Sequence, residues 1–326
     1  MSDPVVLAEI WRGPFLESAH RGHAVVCDSA GDVVMAWGDP GAIVLPRSSA
    51  KMIQALPMIE SGAAQKHGLK PQHLALACAS HHGALIHTDP VRAWLEDLGL
   101  GDDHLRCGSQ MPDNVPARTG LIKNDVTPCQ VHNNCSGKHA GFLTLAKHLG
   151  GGAEYIDPDH PVQKAVLEAF ERMTDQPSPG FGIDGCSAPN YATSLQGMAR
   201  AMAQYAAAGS DTPQAQLVAA MSTHPELVAG EGRACTRLMR AMRGRVAIKT
   251  GAEGFFVAIL PEQKLGVALK ITDGATRAAE CAIAAILVKL GALEAAHPEA
   301  LHYTNGAITN RRNIETGFLR AAPTLI

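Results

Sequence analysis

The spacing of apolar positions changes along the chain, and at the start it predicts strands. Residues 5–10, 23–27 and 32–37 are short segments rich in apolar residues, and Ser29-Ala30-Gly31 between the last two is typical of a hairpin turn. From residue 50 the spacing becomes that of a helix, with apolar side chains at Met52, Ile53, Leu56 and Ile59. The first part of the chain is therefore predicted to pair strands before the first helix begins.

The rest of the chain is predicted to be helical in the middle and to return to strands. Helical spacing covers residues 161–174, 190–208, 213–222 and 233–242. Strands are predicted at 246–249, 254–259 and 265–271, followed by an apolar helix at 278–290 and an edge strand around 314–319. Residues 101–134 are rich in Gly, Pro and Asn, which predicts an irregular, functional loop region.

These elements predict an α/β (α+β) fold. Its antiparallel sheet would be built from both ends of the chain and flanked by helices, with a helical region inserted between the two ends. We expect residues 1–326 to form a single unit, with a sheet subdomain at about 1–75 and 244–326 and a mainly helical subdomain at about 76–243.

Composition and charge exclude several classes of function. The formal charge is −3 with 18% charged residues, so the sequence does not indicate a nucleic-acid or membrane partner. The sequence contains no run of about 18 apolar residues, so no helix is expected to span a bilayer. The N-terminus does not show the basic and then apolar pattern of a secretion signal, so we expect a cytoplasmic protein whose eight cysteines are not paired in disulfides.

The first candidate for catalysis is the pair Ser48 and Lys51. Side chains three residues apart share one face of a helix, so the lysine amine can reach the serine hydroxyl. A neutral lysine beside a serine is a general base for acyl transfer, although Ser-x-x-Lys also occurs by chance in many proteins. Lys249-Thr250-Gly251 on a late strand completes the pairing found in β-lactamases and penicillin-binding proteins, but their Ser-Asp-Asn element is absent.

A second constellation contains two cysteines. Cys135, Lys138 and His139 have the spacing of one helix face at the start of a predicted helix, and Cys186 lies in a loop rich in Gly and Pro before another. Two thiolates and one nitrogen donor suit zinc with a fourth position open to water. The alternative is two unrelated cysteines in glycine-rich turns, because their separation matches no ordinary zinc motif.

Other polar residues near these motifs allow two interpretations each. Arg47 could hold a substrate carboxylate by a fork of hydrogen bonds, or it could be an ordinary surface arginine. His81 and His82 could act as ligands or as a base, but two adjacent histidines near a loop are expected to be polar and exposed.

Over nearly its whole length the chain resembles the Rhizobium-type L-asparaginases, a family also called thermolabile L-asparaginase II. The resemblance rests on five motifs: Arg47-Ser48-Ser49-Ala50-Lys51, Leu76-Ala77-Cys78-Ala79-Ser80-His81, His132-Asn133-Asn134-Cys135-Ser136-Gly137-Lys138-His139-Ala140-Gly141, Asp184-Gly185-Cys186 and Lys249-Thr250-Gly251-Ala252-Glu253-Gly254. It implies a fold like that of serine β-lactamases and penicillin-binding proteins, a homodimer, and hydrolysis of L-asparagine to L-aspartate and ammonia.

The resemblance also implies roles for individual residues. Two serine–lysine pairs would be catalytic, Ser48 with Lys51 and Ser80 with Lys249, where Lys264 is an alternative to Lys249. The zinc ligands would be Cys135, Lys138 and Cys186, with water as the fourth. Substrate binding would fall to Arg47, Asp184, His139 and Glu253. Whether Ser48 or Ser80 attacks the substrate is left open by the sequence.

Two other functions compete with that of an asparaginase. A serine acyl hydrolase acting on β-lactams or peptides fits the serine–lysine pattern, but the missing Ser-Asp-Asn element and the missing export signal argue against it. A zinc-dependent protein that binds an amino acid without catalysis is also compatible with the motifs, although no DNA-binding element or basic patch supports it.

Overall fold

The computed structural model describes residues 2–326. The strands are β1 (Val5–Arg12), β2 (Phe15–Cys27), β3 (Val33–Trp37), β4 (Ile43–Val44), β5 (Phe181–Ile183), β6 (Pro189–Tyr191), β7 (Thr193–Ser194), β8 (Ala247–Thr250), β9 (Phe255–Leu260), β10 (Leu265–Ile271), β11 (Asn305–Thr309) and β12 (Glu315–Ala321).

The helices lie mainly between β4 and β8. They are α1 (Lys51–Glu60), α2 (Ala63–Lys66), α3 (Pro71–Ala77), α4 (Leu85–Asp97), α5 (Val115–Lys123), α6 (Ser136–Leu149), α7 (Pro161–Thr174), α8 (Leu195–Ala207), α9 (Pro213–Thr223), α10 (Pro225–Val228), α11 (Ala234–Ala241), α12 (Thr276–Lys289) and α13 (Pro298–Thr304). None of the helices within residues 2–326 combines the length and the apolar character needed to cross a bilayer.

The main sheet confirms the prediction that both ends of the chain contribute strands. Its order is β11-β12-β1-β2-β10-β9-β8, with β3 also paired to β2, and the paired strands are antiparallel. The strand predicted around 314–319 corresponds to β12, but its assignment as an edge strand was wrong. β12 lies between β1 and β11, because the chain turns back once more through residues 305–309.

The chain divides into two units, and the sheet belongs to the first. This sheet unit contains residues 2–49, 193–207 and 237–326. All six residues of β9 are buried, so both faces of the strand are covered, and α8 and α12 both pack against β9 and β10. Gly266 allows a close approach of α8, since a Cβ there would lie 2.1 Å from the backbone nitrogen of Ala203.

The helical unit contains residues 50–192 and 208–236. Its central helix is α6, whose residues from Ser136 to Ala146 are all buried against α1, α3, α4 and α7. Gly137 is required at the contact with α3, because a Cβ there would lie 2.3 Å from the carbonyl oxygen of Leu76. Residues 50–75 belong to this unit, and α8 belongs to the sheet unit, so the division differs from the expected boundaries.

One helix prediction was wrong at its start. Residues 190–208 were predicted to be helical, but the helix begins only at Leu195. The preceding residues form β6, which pairs with β5, and β7, which pairs with β4. β7 pairs with a strand that is distant in the sequence, and a loop separates β5 from β6. The apolar spacing of residues 190–194 therefore does not reveal either pairing.

Candidate active site

The structure distributes the predicted site residues over the two units. The helical unit contains Lys51, Ser80, Cys135, Lys138, His139, Asp184 and Cys186, and the sheet unit contains Arg47, Ser48, Lys249 and Glu253.

In the helical unit, Lys51 contacts Ser80. Lys51 is the first residue of α1 and only 1% exposed. Its Nζ donates one hydrogen bond to the Ser80 Oγ over 3.0 Å and another to the carbonyl oxygen of Ala79. The Ser80 backbone N–H in turn donates to the carbonyl oxygen of Val228 over 2.8 Å, which fixes the loop after α3. A buried lysine nitrogen is thus held against the hydroxyl of a partly exposed serine.

Cys135, Lys138 and Cys186 converge in the same unit. Cys135 immediately precedes α6 and Lys138 lies in its first turn, so both point from one end of that helix. The Lys138 Nζ lies 2.9 Å from the Cys186 Sγ, and all three side chains are at least 96% buried. Cys186 is held in a tight turn in which the Ser187 N–H donates to the carbonyl oxygen of Asp184. The structure therefore brings together residues that are far apart in the sequence.

The pKa values of Cys135, Lys138 and Cys186 are shifted in different directions. The neighbouring Cys186 side chain, together with burial, raises the pKa of Cys135 well above its ordinary value. The neighbouring Cys135 side chain and the Lys138 ammonium lower the pKa of Cys186 well below that value. Burial alone would lower the pKa of Lys138, but the nearby Cys186 and Cys135 raise it. These directions favour a thiol at Cys135, a thiolate at Cys186 and an ammonium at Lys138.

His139 and Asp184 flank this cluster. The Nδ1 of His139 lies 2.8 Å from the Tyr155 Oη, and burial lowers the pKa of His139 to about 4, so its ring is neutral at neutral pH. The negative charge of Asp184 acts on Lys138. The Asp184 Oδ1 accepts a hydrogen bond from the Gly185 N–H over 2.7 Å, which orients the carboxylate within the turn.

In the sheet unit, the segment around Ser48 packs against the strand that contains Lys249. Ser48 lies in a short 3₁₀ turn, Arg47–Ala50, and Ser49 Oγ donates to the carbonyl oxygen of Lys249 over 3.0 Å. At Gly251 a Cβ would lie 2.6 Å from the carbonyl oxygen of Pro46, so only glycine fits this approach. Lys249 is 1% exposed, whereas Lys264 is exposed in the turn between β9 and β10.

Arg47 and Glu253 line one cavity of about 500 Å³ in the sheet unit. Both residues have left-handed backbone conformations, with φ of 52° and 58°, which is rare for residues other than glycine and is frequent at functional sites. Lys270 also lines the cavity, and its Nζ donates to the carbonyl oxygens of Glu253 and Ile271. His23 and Thr272 complete its polar lining. Sequence motifs gave no signal for these last three residues.

Comparison with known proteins identifies the family. The sequence profile described as L-asparaginase II matches residues 8–321. The chain belongs to the L-asparaginase II family. The family predicted from the motifs is thereby confirmed, and family membership supports an amide hydrolase. No match was found among curated proteins.

Solved structures similar to this L-asparaginase II family member show only a general likeness. They include a β-lactamase from Mycobacterium bovis, with 14% identity over 82% of this chain and 94% of that chain and a TM-score of 0.45. The native form of Mglu has 12% identity, coverages of 86% and 66% and a TM-score of 0.44. An octameric penicillin-binding protein homologue from Pyrococcus abyssi has 14% identity, coverages of 94% and 84% and a TM-score of 0.36. Likeness at this level assigns no activity.

The cysteine cluster of this L-asparaginase II family member has donor atoms suited to zinc. Among residues 2–326, no group of three or more His, Cys, Asp or Glu side chains is placed to hold a metal ion. Lys138 adds a nitrogen donor 2.9 Å from the Cys186 Sγ. Two sulfurs and a free amine form an acceptable zinc donor set. Both the Cys135 thiol and the Lys138 ammonium would have to lose a proton first, since only the deprotonated forms bind metal.

One prediction about the site was wrong, and one contact in it could not be predicted from the sequence. His81 and His82 were expected to be exposed, but they are 2% and 8% exposed, so that expectation was wrong. The His81 ring stacks on His87, with centroids 4.8 Å apart, and its Nε2 lies 2.9 Å from the Ser136 Oγ. The contact between Lys51 and Ser80 joins residues of the two predicted pairs and spans 29 positions, so no local pattern could reveal it.

Proposed function

We propose that this protein is an L-asparaginase, which hydrolyses L-asparagine to L-aspartate and ammonia through serine–lysine chemistry. The observation that carries the proposal is the partly buried hydrogen bond from Lys51 to Ser80, in a member of the L-asparaginase II family. Lys51 also exerts a charge effect on Cys135 and His139, so the serine–lysine contact and the cysteine cluster are neighbours within the helical unit.

We propose Lys51 as the general base and Ser48, three residues before it in the sequence, as the nucleophile. A free amine has two N–H groups and one lone pair. In Lys51 the two N–H groups are used by the Ala79 carbonyl and the Ser80 hydroxyl, which leaves the lone pair to accept the proton of the attacking serine. The Ser48 Oγ then forms a bond to the side-chain amide carbon of asparagine.

Ser80 is proposed to return this proton to the departing nitrogen. The Ser80 Oγ accepts a hydrogen bond from Lys51, and a serine hydroxyl can donate a hydrogen as well as accept one. When the carbon–nitrogen bond breaks, the nitrogen receives a proton through Ser80 and leaves as ammonia, and Lys51 supplies the replacement proton. Water then hydrolyses the aspartyl ester on Ser48. Lys249, buried beside Ser49, is proposed to assist in activating this water.

Substrate binding is proposed to rely on charged side chains. The Arg47 guanidinium would bind the α-carboxylate, with Glu253 in the same cavity. Asp184 would bind the α-amino group, and His139 would donate a hydrogen bond to the substrate. Zinc, held by Cys135, Lys138 and Cys186 with water as the fourth ligand, would orient the substrate, because two thiolates leave the ion with little net positive charge.

The test is ammonia release from L-asparagine and from L-glutamine, with and without a chelator. The wild-type protein should release ammonia from asparagine, and Ser48→Ala should abolish this release while circular dichroism shows an intact fold. Ser61→Ala, outside the proposed site, is the control and should remain active. Mass spectrometry of the quenched reaction should locate the aspartyl ester on Ser48, and an ester on Ser80 would exchange the two roles.

Two other results would contradict the proposal. Turnover of the β-lactam nitrocefin without ammonia release from asparagine would indicate the acyl hydrolase of the alternative prediction. Tight binding of asparagine without ammonia release would indicate an amino-acid-binding protein without catalysis.

We also propose that the protein is a cytoplasmic homodimer. Within residues 2–326, none of the eight cysteines forms a disulfide, which fits a reducing compartment. Sedimentation equilibrium should give twice the mass of the 34.3 kDa chain. A sedimentation mass equal to one chain at micromolar concentration would exclude the dimer.

A further inference from the structure

Tyr155 makes two hydrogen bonds in the interior of the helical unit. Its side chain is 0% exposed, and its Oη accepts a hydrogen bond from the Arg106 backbone N–H over 2.7 Å. The same Oη lies 2.8 Å from the Nδ1 of His139. The His139 ring also packs edge-on against Phe142 and Tyr155, with centroids 5.7 and 5.5 Å away, so its orientation is fixed.

These contacts determine which nitrogen of His139 carries the hydrogen. A phenol has a single hydrogen to donate, and the Arg106 N–H is a donor that cannot accept it. Among the residues that the structure describes, the His139 Nδ1 is the one acceptor within hydrogen-bond distance of the Tyr155 Oη. If Nδ1 carried the hydrogen, two donors would face each other and the phenolic hydrogen would be buried without an acceptor. Nδ1 is therefore the acceptor, and the neutral ring carries its hydrogen on Nε2.

The imidazole ring of His139 lies beside the cysteine cluster. Nε2 is buried and has no hydrogen-bond partner of acceptable geometry within residues 2–326, and the Cys186 side chain is an electrostatic neighbour of the ring. If the His139 Nε2 carries a hydrogen, it can donate a hydrogen bond to an anionic acceptor. If it carries a lone pair instead, it could be a further ligand of a metal.

We propose that Tyr155 is a positioning residue that holds His139 in the Nε2–H tautomer, so that His139 donates a hydrogen bond at the Cys186 cluster and is not a metal ligand. The acceptor is the Cys186 sulfur or the carboxylate of a bound amino acid. The second acceptor rests on the proposed asparaginase function, whereas the tautomer and its cause do not.

Long-range ¹H–¹⁵N correlation spectra of the histidine side chains test the tautomer directly in the metal-free protein. The signals of His139 are identified by their loss in His139→Gln. In the wild-type protein Nε2 should show the shift of a protonated nitrogen and Nδ1 that of an unprotonated one. In Tyr155→Phe the donor to Nδ1 is lost, so the Nδ1–H tautomer should appear. Tyr191→Phe is the matched control, since Tyr191 is another buried tyrosine and donates to the Gln163 carbonyl instead.

The spectra also define the results that overturn the proposal. A wild-type spectrum in which His139 carries its hydrogen on Nδ1 would overturn it, even if Tyr155→Phe did not fold. An unchanged His139 spectrum in a folded Tyr155→Phe protein would overturn the role of Tyr155.

Two further measurements separate positioning from general stabilisation. With zinc added, His139→Gln should bind the same molar amount of zinc as the wild-type protein, because glutamine also offers an N–H and the ligands are unchanged. Loss of zinc from this variant while Cys27→Ser retains it would mark His139 as a ligand and overturn the proposal. If asparagine is the substrate, Tyr155→Phe should raise KM about tenfold with a smaller change in kcat. An inactive wild-type protein would refute the proposed function but leave the spectral test valid.

Discussion

The Lys51 Nζ donates a hydrogen bond to the Ser80 Oγ over 3.0 Å, and this contact joins the first residue of α1 to the loop after α3. Burial of a lysine is costly unless its polar hydrogens are satisfied. Here the Ala79 carbonyl oxygen and the Ser80 hydroxyl satisfy them. The two side chains therefore form one functional group, in which the protonation of Lys51 determines what Ser80 can donate or accept.

The effects on kcat of removing Lys51 and of removing Ser80 should therefore not be additive. Lys51→Met should lower kcat for ammonia release about 10²–10⁴-fold, because the base is lost. Ser80→Ala should also lower kcat, and the double variant should be no slower than Lys51→Met alone, since groups that act as a unit do not contribute independently. Lys66→Met, at an exposed position on α2, is the control. If the fold-decrease in kcat of the double variant equalled the product of the two single decreases, Lys51 and Ser80 would act separately.

The fold could be predicted where each element has its own pattern of apolar residues. β8, β9 and β10 are buried strands bounded by turn residues, and α7 and α12 have regular apolar faces, so their positions agree closely with the sequence. The region 101–134 was predicted to be irregular, yet it contains α5. No residue of α5 is buried, so this helix has no apolar stripe from which it could be recognised.

The candidate site could be predicted as motifs but not as contacts. Cys135 and Lys138 lie one helical turn apart, so their proximity follows from the sequence. Their contact with Cys186 depends on how the turn after β5 is placed against α6, and the sequence contains no local signal for it. The sequence also contains no local signal for the hydrogen bond between the Tyr155 hydroxyl and the Nδ1 of His139, which lies 16 positions earlier in the chain. The burial of His81 follows from stacking on His87, which is a tertiary contact.

The contact between His81 and Ser136 should contribute to stability. The Gly83 N–H donates to the His81 Nδ1, so the ring carries its hydrogen on Nε2, which donates to the Ser136 Oγ. Ser136→Ala leaves this buried N–H without an acceptor and should lower the free energy of unfolding in urea by about 1–3 kcal/mol. Ser222→Ala, near the surface at the end of α9, should change it by less than about 0.5 kcal/mol. Equal effects of the two substitutions would show that the hydrogen bond contributes nothing.

Acid should destabilise the protein through His87, which is 0% exposed. Burial lowers the pKa of His87 from 6.5 to about 4. Between these values the unfolded chain binds a proton that the folded protein does not, so stability falls as the pH decreases from 6.5 towards 4. The loss from this residue should be about 3 kcal/mol. His81 and His82 face His87 and also have pKa values lowered by burial, so they add to the effect.

His87→Gln isolates the contribution of His87 to this acid sensitivity. Glutamine can keep the hydrogen bond that the His87 Nε2–H donates to the Glu226 carbonyl oxygen, but it does not titrate. Urea unfolding of this variant should show a smaller loss of stability between pH 6.5 and pH 4 than the wild-type protein. His104→Gln, at a largely exposed histidine, should show the wild-type loss. A wild-type loss in His87→Gln would mean that His87 does not cause the acid sensitivity.

A methyl group at Gly137 should disturb both stability and activity, because Gly137 lies between Cys135 and Lys138 where α6 meets α3. A Cβ there would lie 2.3 Å from the carbonyl oxygen of Leu76, which is backbone and cannot move aside as a side chain could. Gly137→Ala should lower the free energy of unfolding by about 1–3 kcal/mol and should reduce ammonia release, because α6 must shift together with both cluster residues. Gly120→Ala offers a matched comparison in α5, where nothing lies within 4 Å of the added Cβ, and it should stabilise the protein by about 0.5–1 kcal/mol. If Gly137→Ala were also stabilising, the close approach of α6 and α3 would not be needed to position Cys135 and Lys138.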